Sequence, residues 1–482
     1  MAGNKPLITN RIRWLYGFGS VAYGVKENGF AYLLLFYYSQ VLGLSGTLTG
    51  LALLIALLFD AVSDPLVGFW SDNTHSRWGR RHPFMYASVV PVGISFYFLW
   101  NPPLEYLSET GLFVYLCVIA IFVRFFITLY EIPSTAIVAE ITDDYDERTR
   151  LLGLRYMFGW QGGLCIALLA WGIFLAATDE FPYGAMNPAG YPMYGLAASC
   201  MIVVSILVST IGLHRFIPFL QAQRRVERLT ARRMFLELRT TLANKDFLVL
   251  FAAGLFTAIA WGASAGFDSY INNFFWGFPS EKIFWLNVGI LVSAVVAAFL
   301  APMLAKRYDK KRTAIGLYIA YMCLSPALIA LRLLDVLPGN DWPYLFPLVM
   351  FWVGLVIAIY IMFGIVQSSM LADVVEQSQM KTGRREEGLF FAARTFSQKA
   401  ATGIGTFMVG IILDVISFPK DLKPGEVSQG VLFDLGFAYG TTMALMPLFA
   451  IIILSFYGIT RADHVGRVKK LDAVASSQTE IK

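Results

Sequence analysis

Residues 46–71 read GTLTGLALLIALLFDAVSDPLVGFWS. A helix rises about 1.5 Å per residue, so about 20 apolar residues cross the roughly 30 Å hydrocarbon core of a bilayer. This stretch is long enough and apolar enough to do so. It nevertheless carries Asp60 and Asp64. An ionisable side chain at bilayer depth costs roughly 2.5–3.5 kcal/mol on insertion scales, so each one needs a partner or a task.

Runs of the same kind recur along the chain, near residues 14–41, 46–71, 84–101, 111–140, 149–177 and 194–217, then 247–277, 281–305, 312–335, 343–372, 386–416 and 431–460. Composition agrees: 57% of the 482 residues are hydrophobic and 15% charged, with a mean hydropathy of +0.60. In lipid the backbone must satisfy its own hydrogen bonds, so such runs read as helices, and the alternation of a membrane barrel is absent. The fold class is an all-α membrane protein of twelve transmembrane helices. Cys117, Cys165, Cys200 and Cys323 fall in apolar stretches without metal or disulfide spacing and read as packing residues. No nucleophile–base set, metal motif or phosphate loop points to an enzyme, and the net charge of +5 does not point to nucleic acid.

Loop charges fix the expected orientation. Lys5, Arg11 and Arg13, then Arg77, Arg80 and Arg81, the arginines between 224 and 239, Lys306 to Arg312, and Lys381, Arg384 and Arg385 all fall on one side. The opposite loops 102–110 and 178–193 contain no Lys or Arg. Both termini are therefore expected in the cytoplasm, with no cleavable signal before the first span. The basic stretch 219–246 reads as a cytoplasmic linker. Residues 1–218 and 247–461 read as two six-helix bundles, and 462–482 as a cytoplasmic tail. A weak parallel repeat supports two halves. Glu147 to Arg155 after the fourth span and Glu386 to Arg394 after the tenth have the same separation. Two such bundles with a site near the midplane describe the major facilitator fold.

The intramembrane polar residues define the expected site. Asp60 and Asp64, four apart, share a helix face with Ser63 beside them; Thr128 and Glu131, three apart, share another, with Arg124 on the same stripe. Pro65 is expected to disturb the helix at Asp64 and release carbonyls. By helix rise, Asp64 lies about 12 Å, Glu131 about 15 Å, Arg155 about 10 Å and Lys399 about 20 Å from their inner helix ends. Carboxylates with hydroxyls suit a small cation, or a proton shared between acids. Asp60, Ser63, Asp64, Thr128 and Glu131 are the expected cation and coupling residues, with a possible Na+ at Asp60 and Asp64. Arg155 and Lys399 are expected to neutralise these acids when no cation is present. On the first span, Asn28 with Tyr23 near its stripe is the expected lining, and Lys26 and Glu27 are left to pair or point elsewhere. Asp72, Arg77, Arg80, Arg81, Glu140, Arg384 and Arg385 are expected to form an inner gate of salt bridges. His75, His82, His214 and His464 read as loop or tail residues, so any proton carrier would be a carboxylate.

Asp60-Ala-Val-Ser63-Asp64-Pro65-Leu-Val-Gly68, followed by Arg77-Trp78-Gly79-Arg80-Arg81-His-Pro83, resembles the glycoside–pentoside–hexuronide:cation symporters. Glu131-Ile132-Pro133, Glu147-Arg148…Arg155 and Glu387-Gly388…Phe396…Lys399 follow in the family's order, so the likeness covers nearly the whole chain. It implies a major facilitator fold and symport of a sugar, glycoside or sugar acid with Na+ or H+. Asp60, Ser63, Asp64 and Thr128 would line the cation site, with Ser63 in place of an asparagine. Glu131 would touch both cation and sugar, and Arg155 and Lys399 would line the central cavity. The family's lysine–aspartate pair on the first span falls on Tyr23 and Gly24, and its two pocket tryptophans fall on Thr135 and Gly364. These departures bear on galactoside recognition, which rests on carboxylates and an aromatic face. Asp60, Asp64, Arg155 and Lys399 also resemble the animal sodium-dependent lysophospholipid symporters, which leaves an amphiphile transporter as the alternative, beside an uncoupled scramblase or a sensor. The expected partners are a small solute, the coupling cation and the bilayer. No other cofactor is expected. A monomer in a bacterial inner membrane is the expected state.

Overall fold

The computed structural model describes residues 8–142, 144–220, 245–382, 387–420 and 422–458, with backbone alone at 145, 219–220, 375–382 and 387–393. Twelve helical crossings occupy these residues, with no strand among them. The first is a succession of pieces: Asn10–Phe18, Val21–Asn28, a π turn at Gly29–Leu33, Leu34–Phe36 and a second π turn at Tyr37–Val41. Then come span 2 (Gly46–Asn73), span 3 (His82–Leu99), span 4 (Glu109–Ala136), span 5 (Tyr145–Leu169) and span 6 (Gly190–Leu213). The second set is span 7 (Lys245–Tyr270), span 8 (Ser280–Tyr308), span 9 (Lys310–Leu333), span 10 (Leu345–Thr382), span 11 (Glu387–Val415) and span 12 (Gln429–Ser455). Among the described residues, eleven helices are individually long and apolar enough to cross a membrane. Span 1 reaches that length only as the sum of its pieces.

Two expectations change. Span 2 runs unbroken through Pro65 rather than opening at Asp64. Proline removes one backbone N–H, and spanning helices tolerate that where neighbouring groups take up the freed carbonyls. His82 is the first residue of span 3, with no exposed surface, rather than a loop residue. Its ring lies 6.0 Å from that of His214, in the short turn His214–Phe216 that ends span 6.

The chain divides into two compact units. The first comprises Met1–Val226, Ala265–Asn287 and Gly403–Leu435, so the later ends of spans 7 and 11 pack with the first six spans. In lipid there is no hydrophobic drive between helices, and small residues that allow close packing take its place. Gly46 on span 2 and Gly410 on span 11 meet backbone to backbone: a Cβ built on Gly410 would stand 2.1 Å from the Gly46 carbonyl oxygen. Asp414 sits over the start of span 2, accepting from Ser45 Oγ at 2.7 Å, Gly46 N at 3.0 Å and Thr47 N at 2.8 Å. Those amides are among the ones a helix start leaves without intrahelical partners, and a carboxylate there also favours the helix dipole.

The second unit comprises Glu227–Ser264, Val288–Thr402 and Gly436–Lys482. Its core runs through Phe247, Tyr318, Met362, Phe363 and Leu454, and Trp261 stacks on Tyr360 at 4.6 Å. Most of the expected linker (221–244) and the whole tail (462–482) lie outside the described residues.

Candidate functional site

Spans 2 and 4 lie side by side in the first unit, and their polar stripes face each other. Thr128 Oγ1 is 3.0 Å from Asp60 Oδ1 and 3.0 Å from Asp64 Oδ1. A threonine hydroxyl has one hydrogen, so it satisfies only one of these carboxylates. A proton on the other acid, or a cation between the two, relieves the second contact. Asp60 is 1% exposed. Its other oxygen, Oδ2, accepts from Arg124 Nη1 at 3.1 Å. Arg124 is itself 2% exposed and lies over the Phe30 ring at 4.5 Å. Ser63 is buried beside the acids, but its hydroxyl donates to the Asp60 carbonyl at 3.1 Å, within its own helix.

Just under one turn along span 4 from Thr128, Glu131 pairs with Arg155 of span 5 at 2.7 Å. Arg155 also donates to Ser134 Oγ at 3.0 Å and lies over the Tyr16 ring at 5.6 Å. The Tyr16 hydroxyl donates to the Ser134 carbonyl at 3.1 Å. Span 1 thus supplies an aromatic wall to this ion pair. Tyr23 is partly buried, with Glu27, Glu131, Asp60 and Arg124 as its electrostatic neighbours. Lys26, 1% exposed, pairs with Glu27 and lies 4.6 Å from the Tyr23 ring centroid. Asn28 is partly buried on the same span.

Gly24 explains one departure from the family pattern. A Cβ at this position would stand 1.8 Å from the Gly159 carbonyl oxygen of span 5. Spans 1 and 5 touch there backbone to backbone, so the position that holds an aspartate in family sugar porters has no room for a side chain. At Gly364 a Cβ would meet nothing within 4 Å. Lys399, on span 11, belongs to the second unit and is partly buried.

Of the expected gate residues, Asp72, Arg80, Arg81 and Glu140 form a cluster at the Asp72 end of the first unit. Arg81 pairs with Asp72, donates to Ser71 Oγ at 2.7 Å, and reaches Glu140 Oε1 at 2.9 Å. Arg80 reaches the same Glu140 oxygen at 2.8 Å. Arg77 lies over the Trp78 ring at 5.3 Å. Arg384 and Arg385 fall outside the described residues. The second unit carries an ion pair of its own, Lys310 to Asp373 at 2.6 Å.

Sequence reasoning placed Arg155 against the central acids, and its partner is Glu131. It gave Arg124 no partner, and it left open the Lys26–Glu27 pairing that the structure shows. The available signal was the stripe Arg124, Thr128, Glu131, which puts a guanidinium on the same face as the residue that binds both aspartates.

A family described as MFS/sugar transport protein matches residues 15–461. The chain belongs to this family. Membership makes it a multi-pass membrane transporter rather than an enzyme, with a small molecule as its cargo. Similar family members include a symporter of Synechocystis, 26% identical over 95% of this chain and 96% of that protein. An isoprimeverose transporter of Lactiplantibacillus pentosus is 24% identical over 85% of this chain and 81% of that protein. A glucuronide carrier protein homolog of Escherichia coli is 25% identical over 92% of each chain. Among solved structures, the inward-open xylose transporter XylE of E. coli covers 95% of this chain and 99% of its own, at a TM-score of 0.63 and 14% identity. That likeness establishes the major facilitator fold of twelve helices.

Proposed function

We propose that this transporter is a symporter that imports a sugar, glycoside or sugar acid together with Na+ or H+, by alternating access of the bundles 1–218 and 247–461. One observation carries the reading: two carboxylates, Asp60 and Asp64, converge on the single hydroxyl of Thr128 inside the membrane span. Two carboxylates and a hydroxyl are oxygen ligands that suit a lone positive charge, proton or metal ion, which would share Asp60 with Arg124. Glu131, one stripe position further on and partly exposed, links this site to Arg155, where a hydroxylated solute finds hydrogen-bonding groups. Tyr23, Asn28 and Lys399 complete the substrate set, and Ser63 supports the cation site from its helix. Asp72, Arg80, Arg81 and Glu140 close the inner end, with Arg77, Arg384 and Arg385 as further gate cations. The protein acts as a monomer in a bacterial inner membrane with both termini in the cytoplasm. The names of the relatives, a symporter, an isoprimeverose transporter and a glucuronide carrier homolog, support the substrate class.

The amphiphile reading has one feature in its favour. An apolar groove of about 270 Å³, lined by Phe59, Val62, Leu66, Trp70 and Phe125, has Ser63 in its wall. No charged side chain among the described residues lines it to hold a headgroup, so the sugar reading is preferred. The test is uptake into membrane vesicles under an imposed Na+ or H+ gradient, with labelled isoprimeverose, a labelled glucuronide and a labelled lysophospholipid offered in turn. Changing Asp60→Asn together with Asp64→Asn is expected to abolish accumulation of the sugar while the protein remains folded. Undiminished accumulation in that double variant sinks the coupling claim. Gradient-independent flux of the lysophospholipid alone points to a scramblase.

A further inference from the structure

Arg124 is bound differently from Arg13 of the same unit. Arg13 grips Glu147 with both arms of its fork, Nε to Oε1 at 2.6 Å and Nη2 to Oε2 at 2.8 Å. That two-point geometry is how an arginine holds a carboxylate permanently. Arg124 touches Asp60 through one nitrogen at 3.1 Å, and its buried Nε has no hydrogen-bond partner among the described residues. An ion pair at this depth gains little unless its geometry is good, because both charges have left water. The rest of the guanidinium lies over Phe30, where the ring's quadrupole accepts a cation from several directions. A second carboxylate lies along the same span: Glu27, whose side chain is 37% exposed and pairs with Lys26, stands three residues before Phe30. Arg124 therefore makes one contact with Asp60 and lies over a ring about one turn from another acid.

Asp60 presents two oxygens. Oδ1 takes Thr128, and Oδ2 takes Arg124. Any cation held jointly by Asp60 and Asp64 competes with that guanidinium. We propose that Arg124 is the positioning residue of the coupling step, a tethered rival that holds Asp60 in the cation-free protein and passes to Glu27 when the cation enters. This rests on the symport reading above and deepens it. Moving the guanidinium keeps the charge around Asp60 constant, since the cation arrives as Arg124 leaves. The move also delivers the signal to span 1. A second positive charge on Glu27 loosens its hold on Lys26, in the segment that carries Tyr23 and Asn28 and just ahead of the π turn at Gly29–Leu33. Cation binding thereby reshapes the wall against which the solute binds.

The experiment measures cation binding to the purified full-length protein by intrinsic tryptophan fluorescence, titrating sodium at fixed pH and, separately, pH without sodium. Glu27→Gln deprives Arg124 of its second resting place. It is expected to raise the half-saturating cation concentration about tenfold, within the range usual for coupled sites. Arg124→Gln removes the rival and is expected to lower that concentration. In the Arg124→Gln background the Glu27→Gln effect is expected to shrink below about twofold, because the two residues then form one coupled unit. Simple attraction between Glu27 and the cation predicts the opposite, an effect at least as large without Arg124. If Arg124→Gln does not fold, Arg124→Met serves, since it fills similar space beside Phe30 with no charge to pass to Glu27, and the Glu27 effect is expected to shrink there too. A Glu27 effect unchanged by either Arg124 variant overturns this inference alone. A wild-type protein that responds to neither sodium nor pH overturns the symport reading, and this inference with it.

Discussion

Replacing Thr128 with valine removes a hydroxyl and keeps the shape, so it tests the central contact with little disturbance of packing. In the wild type that oxygen lies 3.0 Å from one oxygen of Asp60 and 3.0 Å from one oxygen of Asp64. A hydrogen bond to a charged group contributes about 1.5–3 kcal/mol. With a cation between the acids, the same oxygen becomes a neutral ligand, and losing it costs a similar amount. At about 1.4 kcal/mol per tenfold, the half-saturating cation concentration is expected to rise roughly 10- to 100-fold. Thr128→Ser keeps the oxygen and is expected to stay near wild type. The assay is sodium- or pH-dependent thermal stabilisation of purified protein, paired with vesicle uptake at several cation concentrations. At saturating cation the valine variant should recover most of its maximal rate, because only the cation site is altered. An unchanged half-saturation in Thr128→Val, or an equal loss in Thr128→Ser, refutes the shared-hydroxyl site.

Two further outcomes follow from the same structure. Gly24→Leu forces a side chain into the 1.8 Å gap before the Gly159 carbonyl, so spans 1 and 5 must part. Overpacking of this kind costs about 1–3 kcal/mol or more, and the unfolding midpoint in detergent is expected to fall; an unchanged midpoint contradicts the backbone contact. Glu140→Gln leaves Arg80 and Arg81 without their shared, buried counter-charge, although Arg81 retains Asp72 and Ser71. A thiol introduced by Ser71→Cys is expected to react faster with a water-soluble maleimide in that background, and equal rates would remove Glu140 from the gate.

The membrane spans were legible because the bilayer is a solvent of fixed thickness, and only long apolar helices meet its demand. The charged residues inside them were legible for the same reason, since their cost marks them out. Helical period then placed Asp60 with Asp64, and Thr128 with Glu131, on common faces without any coordinates. The effect of Pro65 was misread because a proline's disturbance depends on what surrounds the freed carbonyl, and span 2 remains a continuous helix. The segmented course of span 1, with its two π turns, left no mark in hydropathy, which records how apolar a residue is and not which carbonyl its amide reaches.

Sequence by itself determined the fold class, the number of crossings and which acids fall within the apolar spans, because each follows from chain-local chemistry against a uniform solvent. Only the tertiary structure decided which cation meets which acid: Arg124 with Asp60, Arg155 with Glu131, Lys26 with Glu27. Such pairing is set by distances of a few ångströms between neighbouring helices. Small residues such as Gly24 and Gly410 control those distances by letting backbones touch, and no periodicity within one helix encodes them.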